Sequence, residues 1–202
     1  MKRFVVFLWF TLLLHGCSDG DIIVSNFNFE NSDLQTCGDI GNYVFYKQNN
    51  QVFESLSLRL GTTDSIYKLE GGKTYDLSGS NSFVNYRTYD GPLPNNYFCS
   101  SIPPSSPKVN SDYIATSGTA QIIVTFLYDT PIPRAINQES IPTPTGHNKE
   151  TSNYSPGFRQ TVRKNVQVIL KNIVLINGDQ RIIQETIDMG TIENVRTEVI
   201  NP

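Results

Sequence analysis

Residues able to do covalent chemistry are scarce in this chain of 202 residues. There are two histidines, His15 and His147, one tryptophan, Trp9, and three cysteines, Cys17, Cys37 and Cys99. His15 and Trp9 fall in an N-terminal apolar leader, so His147 alone would remain for acid–base work. That excludes a zinc site built on several histidines and a His-Glu-x-x-His protease motif. A Ser-His-Asp arrangement would depend on His147, which sits in a proline-rich stretch too irregular to hold catalytic geometry. No glycine-rich phosphate loop occurs, because Gly71-Gly72 lacks a following helix and lysine-serine pair. No calcium loop of alternating acids occurs either. Basic residues number 16 against 19 acids, for a net charge of −3, which gives no electrostatic footprint for nucleic acid. The mature acids near expected strand ends, Asp64, Glu70, Asp76, Asp90, Asp112, Glu185, Asp188 and Glu193, stand singly and read as solvated face residues. A glycosidase needs two converging carboxylates, which spacing on an unknown fold does not test. The expectation is a non-enzymatic protein with no metal and no cofactor.

The longest apolar run is Phe4 to Leu14, preceded by Lys2 and Arg3 and closing on Leu14-His15-Gly16-Cys17. It is far short of the ~20 residues a membrane-spanning helix needs, and it has the form of a secretory signal. Its Leu-x-Gly-Cys ending is similar to the lipobox of bacterial lipoproteins, in which the cysteine is acylated and the peptide before it removed. An ordinary signal peptide with an incidental cysteine is the plainer alternative. Residues 1–16 are therefore read as a lipoprotein signal peptide, 17–21 as lipidated Cys17 with an acidic tether, and 22–202 as a single domain. The tether residues Ser18, Asp19 and Asp21 are either a simple spacer or, by resemblance, the surface-export signal of Bacteroidota lipoproteins, although Gly20 interrupts the acidic run. Lipidation of Cys17 would leave Cys37 and Cys99 as an even pair in an oxidising compartment, and a Cys37–Cys99 disulfide is expected.

The rest of the chain alternates apolar and polar residues with no sustained helical period, so strands are expected throughout. Asp21 to Glu30 places Ile23, Phe27 and Phe29 on one face. Asn42 to Gln48 pairs with Val52 to Leu60 across Asn49-Asn50-Gln51, with Val52, Leu56, Leu58 and Leu60 inward, Ser55, Ser57 and Arg59 outward, and Glu54 at the strand end. Ile66 to Leu69, Lys73 to Leu77 and Ser82 to Tyr89 are short strands between glycine-rich turns. Asp90 to Lys108 is a proline-rich loop holding Cys99, and Thr119 to Tyr128 is a central strand. The 129–158 segment is proline-rich and expected as a mobile loop. Thr161 to Ile176 and Arg181 to Met189 form a hairpin across Asn177-Gly178, expected as a type I′ turn, and a last strand, Thr191 to Ile200, follows a turn at Gly190. Even strand spacing of this kind predicts an all-β antiparallel β-sandwich, immunoglobulin-like or jelly-roll-like.

An exposed aromatic platform is the usual route by which such a domain binds sugar. Tyr86, Tyr89, Tyr97 and Phe98 cluster near Cys99 and are the candidates. Cross-strand packing is the alternative role for the same rings.

Collected together, Cys17-Ser18-Asp19-Gly20-Asp21 with Ile22-Ile23-Val24, Cys37-Gly38, Glu54-Ser55-Leu56, Tyr97-Phe98-Cys99-Ser100-Ser101-Ile102-Pro103-Pro104, and Glu185-Thr186 leading to Gly190 resemble the small lipoproteins of flavobacteria and their relatives. Longer proteins of this type carry acidic calcium-binding repeats before the final hairpin. Here that place holds the proline-rich 129–158 segment, so calcium does not carry over. The resemblance implies an outer-membrane, lipid-anchored protein of the cell envelope and no activity. The expected partners are the membrane through the anchor and another envelope protein or a glycan, with a carbohydrate-binding or glycan-processing module as the competing class.

Overall fold

The computed structural model describes residues 21–22, 27, 29, 31–78, 81–100, 102, 104–129, 132–133 and 158–200. Cys17, Ser18, Asp19, His147 and the span from Ile23 to Asn26 lie outside them, as does nearly all of the 129–158 segment. The strands are β1 (Asp21–Ile22), β2 (Gln35–Cys37), β3 (Tyr43–Asn49), β4 (Glu54–Leu60), β5 (Gly71–Asp76), β6 (Ser82–Tyr89), β7 (Val109–Tyr128), β8 (Ile132–Pro133), β9 (Phe158–Asn177) and β10 (Gln180–Ile200). The fold is all-β, as expected. Hydrogen bonding joins the strands into a ten-stranded sheet along the path β1-β10-β9-β7-β6-β4-β3-β2, with β5 added to β7 and β8 to β9. All pairings but the parallel β1–β10 contact are antiparallel. Where two packed sheets were expected, a single sheet curls into a half-barrel.

The curl is visible in what its far ends share. A Cβ placed on Gly190 of β10 would lie 3.8 Å from Leu34, beside β2. The Asp188 carboxylate on β10 raises the pKa of Lys47 on β3, against the burial that pulls that ammonium below its ordinary value. Bulges supply the bending. Register shifts separate Asp188 from Gly190 and Ile192 from Arg196 on β10, and two more flank Ser117 on β7.

Inward positions form one apolar cluster. Leu56, Leu58 and Leu60 alternate into it from β4, meeting Phe45, Val84, Ile122, Val166, Val168, Leu170 and Leu175. Burying one such side chain stabilises the fold by roughly 2–3 kcal/mol before entropy is counted. Phe29 and Leu34 join the same cluster, and Phe27 meets Tyr86 edge to face at 4.8 Å.

A second, smaller cluster of Tyr89, Leu93 and Tyr97, with Phe53 and Phe98 against it, lies where the Asp90 to Lys108 loop covers the other face of the sheet. Asn50 clamps this loop in both directions, its Nδ2 donating to the Leu93 carbonyl at 3.2 Å and its Oδ1 accepting from the Leu93 N–H at 2.9 Å. The Cys37–Cys99 disulfide ties the same loop to the edge strand β2, with Cα atoms 5.8 Å apart.

Several expectations change on contact with this geometry. Ser55, expected outward and wet, is fully buried because Tyr89 covers it and shares a 3.0 Å hydrogen bond with its hydroxyl. Val52, expected inward, lies in the turn between β3 and β4 and is 53% exposed. Ile66–Lys68 is a single 3-10 turn instead of a strand, which sends the consecutive residues Ile66 and Tyr67 to the core. Gly71 and Gly72 belong to β5, not to a turn. The C-terminal hairpin is present, but Asn177 pairs with Gln180, so Gly178-Asp179 is the connection. Only Gly178 has positive φ (59°) there, the pattern of a type II′ turn. Gly190 marks a bulge within one 21-residue strand, not a turn between two.

Candidate functional site

On the outer face, β4, β6 and β7 present a patch of polar side chains whose arrangement follows from register. Arg59 lies opposite Phe83, Ser57 opposite Asn85, and Ser55 opposite Arg87. Across the next pairing Asn85 faces Ile114 and Arg87 faces Asp112. Side chains of one parity along β6 therefore project together, Phe83, Asn85 and Arg87. They separate two adjoining hollows of about 420 and 260 Å³. Leu77, Ile114 and Thr116 line the larger, while Val44, Ser57, Arg59 and Phe98 line the smaller. The larger hollow is in the size range of small-ligand sites.

Asp112 organises the patch. Its Oδ1 accepts from Arg87 Nε at 2.9 Å and from Asn85 Nδ2 at 3.0 Å, and its Oδ2 accepts from Arg87 Nη2 at 2.8 Å. This fork is the strong form of the arginine–carboxylate pair. The Asp112 hydrogen bonds push the Arg87 guanidinium above its ordinary pKa, outweighing burial, which acts the other way. Asn85 is 4% exposed, and its Oδ1 is buried with no hydrogen-bond partner. The amide cannot turn to relieve this, because its nitrogen must face the carboxylate. Arg59 lays its guanidinium 5.7 Å from the Phe83 ring centroid, and among the described residues no carboxylate pairs with it.

The expected aromatic platform is distributed otherwise. Tyr86 points into the main core, where it meets Phe27 and Tyr113. Tyr89 and Tyr97 are buried against each other at 5.5 Å in the second cluster. Burial pushes the Tyr89 hydroxyl up to about 12. Phe98 alone reaches the groove, held by Tyr46 at 4.7 Å and by its neighbour Cys99 in the disulfide. Phe83, Asn85 and Arg87 carried no signal of a site in the sequence, and Arg59 stood out only as an outward strand residue. Their signal is the polar parity of two adjacent strands, which becomes a site only when the strands are laid side by side.

Chemically the groove suits binding. Beside its lining, Asp112 accepts three hydrogen bonds, two from Arg87 and one from Asn85. Among the described residues no group of three or more His, Cys, Asp or Glu could hold a metal ion. No helix of the described residues is long and apolar enough to cross a membrane. No protein-family model, curated protein or solved structure matches the chain.

Proposed function

We propose that the chain is a cell-envelope lipoprotein, anchored to the outer membrane through acylated Cys17, whose β-domain binds a ligand in the groove over β6 without covalent chemistry. The observation that carries the binding role is the pair of adjoining hollows over β6, lined by Phe83, Asn85 and Arg87 with exposed Arg59 beside them. Support for a non-enzymatic role is that Asp112, the carboxylate beside Asn85 and Arg87, is held by three hydrogen bonds from them. The leader and the Cys17 lipobox support the anchor.

Three experiments test this reading. Metabolic labelling with an alkyne fatty acid should mark the wild-type chain and not Cys17→Ser, which should leave the membrane fraction; a membrane-bound Cys17→Ser chain overturns the anchor. Detergent-purified full-length protein should be retained by immobilised envelope extract, and changing exposed Arg59 to Ala should abolish retention while circular dichroism stays unchanged. Undiminished retention of folded Arg59→Ala overturns the groove as the binding site. For the outward-facing placement, changing Asp19 and Asp21 to Ala should remove protease accessibility on intact cells and leave lipidation intact.

A further inference from the structure

We infer that the β-domain seats on the phospholipid surface to which its own anchor leads, through exposed Val52 and Val109 at the end where β4 and β7 begin and β6 stops; this rests on acylated Cys17 being the anchor. Chain length comes first. β1 runs parallel to β10, with Asp21 opposite Gln180 and Ile22 opposite Arg181, so the chain enters the sheet beside the Asn177–Gln180 turn. Only four residues separate Cys17 from Asp21. Fully extended they reach roughly 14 Å, so the acyl chains, and the bilayer surface with them, lie within about that distance of this turn. The Tyr113 hydroxyl donates to Gln180 Oε1 at 2.7 Å, which sets the level of the turn against β7. Four positions further toward its start, β7 reaches Val109, a drop of roughly 13 Å. An extended tether therefore delivers the acylated cysteine to the level of Val109. Leu127 lies 14 positions from Tyr113 in the other direction, roughly 45 Å away along the strand.

The surface at that level is apolar. Val109 is 42% exposed, and Val52, in the turn before β4, is 53% exposed. The two flank one another, because the Phe53 carbonyl accepts from the Tyr89 N–H at 2.8 Å and Tyr89 stands opposite Val109 in the sheet. The loop that leaves β6 also returns here, with the Asp90 N–H on the Lys108 carbonyl at 3.1 Å, and it carries Ile102 at 82% exposure. Single exposed valines are ordinary on a protein surface. These stand where the anchor sets a surface against them, and an interface removes such side chains from water. Exposed Lys108 and Asp90 oppose each other in charge at the same end, so the contact is apolar and does not depend on anionic lipid. The acyl chains hold the domain near the bilayer, and the valines need only orient it. Asn85 stands four positions up β6 from Tyr89, roughly 13 Å, which keeps the groove above the lipid and open.

Trp9 is the one tryptophan of the chain and leaves with the leader, so a tryptophan introduced by mutation reports alone. The test reconstitutes the detergent-purified lipoprotein into vesicles of phosphatidylethanolamine and phosphatidylglycerol, with and without brominated acyl chains that quench tryptophan inside the bilayer. Val52→Trp and Val109→Trp should each lose about half or more of their emission to the brominated lipid, and Ile183→Trp and Leu127→Trp should lose little. All four positions are exposed, so the variants fold, which circular dichroism checks. Replacing phosphatidylglycerol by phosphatidylcholine should leave the quenching unchanged. Quenching that needs phosphatidylglycerol, or quenching of Ile183→Trp or Leu127→Trp as strong as that of Val52→Trp and Val109→Trp, overturns the inference. If the chain floats with the vesicles while neither Val52→Trp nor Val109→Trp is quenched, the seat falls and the anchor stands. If the parent keeps the Trp9 emission or does not float, the anchor falls and the seat with it.

Discussion

Asn85 on β6 and Asp112 on β7 are locked side chain to side chain, Nδ2 to Oδ1 at 3.0 Å, and this bond fixes the Asn85 amide with its carbonyl oxygen buried and, among the described residues, without a hydrogen-bond partner. The pair makes opposite predictions for two substitutions of similar size. Asn85→Asp sets a second carboxylate against the first in a buried position, so the folded state should lose about 1–3 kcal/mol at neutral pH. For a chain of this length that lowers Tm by roughly 2–4 °C per kcal/mol. The deficit should shrink as pH falls toward the carboxylate range, because one of the two acids then takes a proton. Asn85→Leu removes the stranded oxygen and keeps the Arg87–Asp112 fork, so its stability should stay within about 1 kcal/mol of the parent. Thermal unfolding of both variants between neutral and mildly acidic pH checks the contrast.

Gly118 on β7 tests the double bulge that bends the long strands. Its φ is 126°, and a Cβ there would sit 2.5 Å from Ile173 Cδ1 and 3.0 Å from the carbonyl oxygens of Lys171 and Asn172. Backbone carbonyls cannot swing away as a flexible side chain can. Gly118→Ala should therefore cost about 2–4 kcal/mol, combining conformational strain with the clash. Gly41→Ala shares the positive φ (92°) but meets nothing within 4 Å, and should cost only about 1 kcal/mol. Equal losses in chemical denaturation would show that crowding at the bulge plays no part.

Two shifted titrations, those of Asp64 and Tyr89, act at opposite ends of the pH scale. Lys73 holds the Asp64 carboxyl below the usual carboxylate range, aided by hydrogen bonds from Thr62 and Tyr75. A carboxyl lowered in the folded state adds stability above its unfolded pKa, and that stability disappears as pH falls through the folded value. Asp64→Asn should thus lose Tm at neutral pH and converge on the parent in strong acid. Tyr89 is raised from 10.0 to about 12, chiefly by burial. Its stabilising effect is complete below 10.0 and disappears as pH rises toward about 12. The Tyr89 share of tyrosinate absorbance, read as the difference between parent and Tyr89→Phe, should accordingly stay suppressed in the folded protein above the ordinary tyrosine range. Tyr89→Phe should flatten that alkaline limb.

Local alternation made β3, β4 and β6 readable. Leu56, Leu58 and Leu60 state their face directly, and β6 spans Ser82–Tyr89 just as its pattern predicts. The first half of β7 stayed hidden because its inward residues, Tyr113 and Ala115, alternate with Ser, Asp and Thr and look like loop. Gly190 was misread for a related reason. A glycine of positive φ serves a turn or a bulge equally well, and the choice depends on whether a partner strand continues past it, as β9 does here. The curl and the groove are likewise products of long-range register. Arg59 and Phe83 are 24 positions apart in the chain and become neighbours only when β4 and β6 pair. The Cys37–Cys99 bond needed no register, since it was expected from the cysteine count once Cys17 was assigned to the lipobox.

That disulfide also joins stability to the groove. It closes a separation of 62 residues, which in the chain-entropy account stabilises the fold by roughly 4 kcal/mol. Cys99 is covalently next to Phe98, whose ring forms one wall of the smaller hollow. The double variant Cys37→Ser/Cys99→Ser should therefore unfold at lower denaturant concentration and lose more than global stability alone. With the loop held only by the Asn50 clamp on Leu93 and by Tyr89–Tyr97 packing, amides near Phe98 should exchange faster than those of β6. Hydrogen exchange on the folded double variant separates the two effects. Faster exchange confined to Asp90 through Lys108 assigns the bond to positioning the groove wall, whereas uniform acceleration across β3, β4 and β6 assigns it to global stability alone.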